Sequence, residues 1–110
     1  MKGYILNYRN GLTRTDITLI NYYLFGRIVK RPTKDGKKEF YYYPGLFEST
    51  PYIRLTNGCY FTERIIDDFN GRLIIIEVND IRFPKNIQFQ TAKIHWGKHI
   101  KEKNIQVRNF

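Results

Sequence analysis

The chain has 110 residues, 19 Lys plus Arg against 10 Asp plus Glu, and a formal charge of +9. Nine Tyr, eight Phe and one Trp are too many aromatics for an intrinsically disordered chain, and a single Cys excludes a disulfide framework. No apolar run approaches the length of a membrane-spanning helix, and MKGYILNYRN lacks the apolar stretch of a secretory signal. The expectation is one soluble, cytoplasmic, basic and aromatic-rich domain, large enough for a single core. Its charge is polarised: +5 over residues 27–38 and +6 over 82–110 flank −4 over 39–81. Such asymmetry suits an anionic partner.

Turn signals set the expected order of elements. Asn10-Gly11, Asp35-Gly36, Asn57-Gly58 and Asn70-Gly71 are residue pairs that adopt the positive φ angles of tight hairpins. Gly3 to Arg9 reads as a strand, and Leu12 to Ile20, with alternating Asp16, Thr18 and Ile20, reads as its hairpin partner. Tyr22 to Arg31 is the next apolar-rich run, stopped by Pro32. The loop Thr33 to Lys37 returns the chain into a strand from Lys38 to Tyr43. Tyr52 to Thr56 and Cys59 to Thr62 form a third hairpin about Asn57-Gly58.

After Thr62 the pattern changes. Ile65, Ile66 and Phe69 fall at helical spacing, with Thr62 as N-cap and Gly71 as stop, which predicts one or two helical turns. The run Leu73-Ile74-Ile75-Ile76 predicts a central strand buried on both faces. Asn79-Asp80 turns the chain, and Ile81 to Phe83 reads as a short strand. Phe89, Ala92, Trp96 and Ile100 share one helical face, which predicts a C-terminal helix ending near Asn104 before a strand at Ile105 to Val107. A strand from Ile87 to Ile94 is the rival. The expected fold class is α+β: a β-rich, hairpin-built antiparallel sheet or small barrel with a C-terminal helix.

The strongest chemical signal is a basic block running into an aromatic one, Lys30-Arg31-Pro32-Thr33-Lys34-Asp35-Gly36-Lys37-Lys38-Glu39-Phe40-Tyr41-Tyr42-Tyr43. Cations on a hairpin tip neutralise phosphates and release counterions. Tyrosines on a strand face stack on unpaired bases. Tyr41 and Tyr43 share one face and Phe40 and Tyr42 the other, so one face packs and the other leaves an aromatic ledge beside the cations. The competing reading makes all four aromatics structural. A second basic block, Lys93 to Arg108, places Lys98 and Lys101 near each other on the expected helix. The nucleic-acid-binding candidates are therefore Lys30, Arg31, Lys34, Lys37, Lys38, Tyr41, Tyr43, Lys98 and Lys101. No ribonucleoprotein octapeptide is present.

Other chemistry is weakly signalled. His95 and His99 share a helical face but lack further metal ligands. Asp67, Asp68 and Glu77 resemble the carboxylates of a metal-dependent nuclease, but Asn79 stands where the water-positioning lysine would follow Glu77. Cys59 has no neighbouring base and reads as a structural thiol. Neither G-x-G-x-x-G nor G-x-x-x-x-G-K occurs. No catalytic residue, cofactor or metal is assigned.

Gly3-Tyr4-Ile5-Leu6-Asn7-Tyr8-Arg9-Asn10-Gly11 resembles the opening strand and turn of a small β-barrel protein of the archaeal and eukaryotic large ribosomal subunit. Arg14-Thr15 stand where that family has glutamine, and its glycine-rich closure is replaced by Trp96 and the basic tail, so no residue role is carried over. The expected function is non-catalytic binding of nucleic acid, RNA ahead of DNA. The alternatives are a protein-interaction subunit or homodimer with an aromatic interface and, more weakly, a small nuclease.

Overall fold

The structure is a computed structural model and describes residues 1–92, 106 and 107. Its elements in chain order are β1 (Gly3–Tyr8), α1 (Arg14–Phe25), β2 (Arg27–Pro32), β3 (Lys38–Tyr43), a 3₁₀ turn (Leu46–Glu48), β4 (Tyr52–Thr56), β5 (Cys59–Thr62), β6 (Leu73–Val78) and β7 (Gln106–Val107). One four-stranded sheet has the order β4-β5-β1-β6, and a three-stranded sheet has the order β2-β3-β7. Every pairing is antiparallel except β3 with β7, and neither sheet closes into a barrel. The fold is thus mixed α and β, with one α-helix longer than a turn among the described residues. The expected C-terminal helix is not seen at its start, where Phe89 is not helical and Gln90 bridges Tyr52; its remainder from residue 93, with Trp96, Ile100, the two histidines, Lys98 and Lys101, lies outside the described residues. No described helix is long and apolar enough to cross a membrane.

Two compact units emerge: Met1–Ile20 with Thr50–Gln90, and Asn21–Ser49 with the described C-terminal residues. The first contains the four-stranded sheet. On one face of that sheet Phe61 is fully buried and packs against Phe83 at 5.1 Å and Phe89 at 6.1 Å between ring centroids. On the other face Leu6, Tyr52, Tyr60, Thr62 and Leu73 are buried, and Tyr60 meets the Tyr52 ring edge-on at 5.8 Å. Gly3 lies against this packing; a Cβ there would sit 2.5 Å from the Phe61 ring, so no larger residue fits.

The hairpin expected at Leu12 to Ile20 is a helix instead. Gly11 does adopt a positive φ of 82°, but the turn leads from β1 into α1. A reciprocal cap decides the outcome. Thr13 Oγ1 accepts from the Asp16 amide at 3.1 Å, and Asp16 Oδ2 accepts from the Thr13 amide at 3.3 Å. This satisfies amides that a helix start otherwise leaves open. Ile20 and Leu24, four apart, are then both fully buried. The run expected from Tyr22 to Arg31 is accordingly split between α1 and β2. Gly26 divides them: at φ 81° its amide donates to Tyr22 O at 2.9 Å, closing the helix.

Three further expectations change. Residues 65–69 form no helical turn, because Asp67 and Asp68 spend their side chains on local amides. Asp67 Oδ1 accepts from Phe69 N at 2.6 Å, and Asp68 Oδ1 from Gly71 N at 3.2 Å. Phe69 and Asn70 then hold positive φ values of 52° and 54°, with the Arg72 guanidinium 5.1 Å over the Phe69 ring. Among the described strands β6 stands at the edge rather than the centre of its sheet, and Ile76 is 51% exposed. Ile81 to Phe83 forms no strand; Phe83 serves as a packing ring on Phe61. The β2–β3 and β4–β5 hairpins stand about Asp35-Gly36 and Asn57-Gly58 as expected.

Candidate nucleic-acid interface

The basic-aromatic block folds as the β2–β3 hairpin. Its register pairs Arg27 with Tyr43, Val29 with Tyr41, Arg31 with Glu39, and Lys30 with Phe40. Directly opposed residues in an antiparallel pair share a face. One face therefore carries Arg27, Val29, Arg31, Glu39, Tyr41 and Tyr43. Ile28, Lys30, Phe40 and Tyr42 belong to the reverse face.

On the first face arginine and tyrosine alternate. The Arg27 guanidinium lies 5.3 Å from the centroids of both Tyr22 and Tyr43. Arg31 lies 5.7 Å over Tyr41 and donates to Tyr43 Oη at 3.0 Å. Tyr41 Oη in turn donates to Glu39 Oε2. Each guanidinium–ring contact contributes about 0.5–1 kcal/mol at an exposed site. The arginine side chains themselves remain exposed, so each offers a planar cation already held over an aromatic ring.

The reverse face is tied to the core. Tyr42 is buried, and burial followed by the nearby Glu48 charge pushes its phenol up to about 12. Lys30 is exposed and rests 5.8 Å over the Phe40 ring. Beneath the start of β2, Gly26 and Gly45 bring two backbones together. A Cβ on Gly26 would sit 2.4 Å from Tyr43 O, and one on Gly45 would sit 2.3 Å from Gly26 N.

The tip is a five-residue loop braced from within. Thr33 N donates to Lys37 O at 2.8 Å, and Gly36 N to Thr33 O at 3.1 Å. Asp35 Oδ1 accepts from Thr33 Oγ1 and from Lys37 N, the latter at 3.2 Å. The Thr33 hydroxyl and then the Lys37 amide hold the Asp35 carboxyl below its ordinary range. Lys34 and Lys37 are exposed on this loop, and Lys38 opens β3 opposite Pro32.

The candidates are thus only partly assembled. Arg31, Tyr41 and Tyr43 share one face and touch; Lys34 and Lys37 stand on the adjoining tip; Lys30 is on the reverse face. Tyr43 is 9% exposed and has Arg27 and Arg31 against it, whereas Tyr41 is half-buried. The ledge expected from two tyrosines therefore centres on Tyr41 and the two guanidinium groups. Lys98 and Lys101 lie outside the described residues. Arg27 and Tyr22 are additions that the block's residue types did not single out. A register counted outward from the five-residue loop Thr33 to Lys37 places Arg27 opposite Tyr43; Tyr22 carries no comparable signal.

The remaining groups offer less. Asp67, Asp68 and Glu77 line one groove with Tyr4, Arg9 and Leu73. Among the described residues no three His, Cys, Asp or Glu side chains are grouped to hold a metal ion. Cys59 is partly buried, and burial raises its thiol pKa. Tyr8 is raised in the same way, by burial and then by Tyr60, whose ring lies 6.2 Å away.

No protein-family model, curated protein or solved structure matches the chain.

Proposed function

We propose that the protein is a non-catalytic binder of single-stranded nucleic acid, RNA ahead of DNA, acting through the β2–β3 hairpin. The observation that carries the reading is the Arg27–Tyr43–Arg31–Tyr41 arrangement beside a braced tip bearing Lys34 and Lys37. Phosphates meet the tip lysines, where six basic residues and one acidic residue fall within 27–38. Unpaired bases stack on Tyr41 and on the guanidinium planes, which tolerate any base. Duplex hides its base faces, so it engages only the cations.

The test is fluorescence anisotropy with a labelled mixed-sequence single strand and the matching duplex. Tyr41→Ala is expected to cost about 1–3 kcal/mol on the single strand and far less on the duplex. Equal losses on both would remove base stacking from the account. No binding by the wild type at low salt would remove the function. The 260 nm absorbance of protein purified without nuclease gives an independent reading, with co-purifying nucleic acid expected.

A further inference from the structure

Residues 27–43 contain two carboxylates, Asp35 and Glu39, and the hairpin uses them differently. Asp35 is spent inside the tip on the Thr33 hydroxyl and the Lys37 amide. Glu39 stands half-buried on the arginine–tyrosine face, directly opposite Arg31. A carboxylate among groups that meet phosphates weakens their attraction for a backbone, because like charges repel. Its position suits a partner that donates hydrogen bonds. In a nucleic acid those donors are base edges and sugar hydroxyls.

Opposed residues of an antiparallel pair hold their Cβ atoms about 4.5–5.5 Å apart, within reach of an ion pair. Arg31 and Glu39 nevertheless form none with each other. Each is held by a tyrosine hydroxyl instead. Arg31 Nη2 donates to Tyr43 Oη at 3.0 Å, and Glu39 Oε2 accepts from Tyr41 Oη. Among the described residues no other side-chain hydrogen bond takes either group. The guanidinium therefore keeps further N–H donors, and the carboxylate keeps Oε1 and a second lone pair on Oε2. A guanidinium stacked on the centre of a ring would lie about 3.5–4.0 Å from it. At 5.7 Å from the Tyr41 centroid, Arg31 does not close over that centre. A base stacked on the ring would thus have donors along one edge and a carboxylate at the hydroxyl end.

We infer that this unpaired couple reads guanine in a single strand: the Glu39 carboxylate accepts from N1–H and N2–H, and the Arg31 fork donates to O6 and N7. The inference rests on the reading of the hairpin as a single-strand interface. Guanine alone gives both groups two atoms each, and the fork on O6 and N7 is the commonest specific arginine contact to a base. Cytosine offers the fork N3 and O2 but gives the carboxylate only its N4 amine. Adenine gives the carboxylate only N6, and its acceptors N1 and N7 flank that amine too far apart for one fork. Uracil offers the carboxylate a single N3–H between two carbonyl oxygens. In a single strand these edges are open to side chains. In a duplex the guanine N1–H and N2–H are paired with cytosine, and Glu39 gains nothing to accept from.

Anisotropy titrations with an oligouridine strand carrying one central guanine, inosine, adenine or cytosine test it. The guanine strand is expected to bind at least about five-fold more tightly than oligouridine alone, the lower end of what one bidentate pair discriminates. Inosine, which lacks the 2-amino group, is expected to lose part of that gain on the wild-type protein. Glu39→Gln is expected to bind the guanine strand no more tightly than oligouridine. Arg31→Lys, which keeps the charge but not the fork, is expected to lower the same ratio. If Glu39 served only to hold Tyr41, Glu39→Gln would weaken every strand together and leave the ratio unchanged, and that result would overturn the inference. So would equal binding of all strands, a preference for cytosine or adenine, or inosine bound as tightly as guanine. Each of these outcomes leaves single-strand binding itself in place. Failure to bind any strand at low salt would remove the interface and the inference together.

Discussion

Thr13 and Asp16 show how much a few side-chain atoms decide. Read by alternation, Leu12 to Ile20 fits a strand; the reciprocal cap at its start makes it a helix. The motif is visible as Thr-x-x-Asp before a run with Ile20 and Leu24 four apart, but the period-two alternation of Asp16, Thr18 and Ile20 competes with it. Thr13→Ala is expected to destabilise the protein by about 1 kcal/mol in urea unfolding, the usual cost of a lost N-cap. Gly26 is a second such position. Gly26→Ala must hold a positive φ and also displace Tyr43 O, so its cost is expected to exceed the roughly 1–2 kcal/mol of the left-handed conformation alone. Asp35 gives a pH test. Its folded pKa lies below the unfolded value, so the carboxylate braces the tip above the ordinary Asp range. That bracing is lost as pH falls through the folded value. The Lys37 amide resonance should therefore titrate with a midpoint below that of a free Asp. A midpoint at or above it would contradict the bracing by Asp35.

At the scale of elements, the two hairpins centred on Asp35-Gly36 and Asn57-Gly58 were legible because turn chemistry and flanking strands agree there. β6 was legible as a strand but not as an edge. A run of isoleucines states that a strand is apolar; how many neighbours it has depends on long-range pairing that no local pattern carries. The candidate site divides in the same way. Lys34 and Lys37 on the tip follow from the turn alone. That Tyr43 is covered while Tyr41 is only half-buried depends on where Arg27 and Arg31 lie, which is a matter of register. The hairpin makes a contrast between the two tyrosines. Tyr43→Ala removes a buried ring held by two arginines and is expected to lower the melting temperature as well as binding. Tyr41→Ala is expected to lower binding to single strands with a smaller loss of stability. Thermal melts alongside the anisotropy titrations separate the two effects.

For the whole molecule, the +9 charge matters through its distribution. The hairpin concentrates cations at a surface, whereas Arg72 is neutralised locally by Asp16 at 3.1 Å. A partner bound chiefly through its phosphates releases counterions, so its affinity falls with salt at a slope set by the number of phosphates neutralised. The most direct measurement is that slope, for wild type and for the Lys34→Ala, Lys37→Ala, Lys38→Ala triple variant on one single strand. The wild type is expected to bind at low salt and weaken steeply as salt rises. The triple variant is expected to bind more weakly and to flatten the slope by about 0.7 for each phosphate that is no longer neutralised, roughly two for all three. An unchanged slope and affinity in the triple variant would place any nucleic-acid surface away from the β2–β3 hairpin and contradict the account.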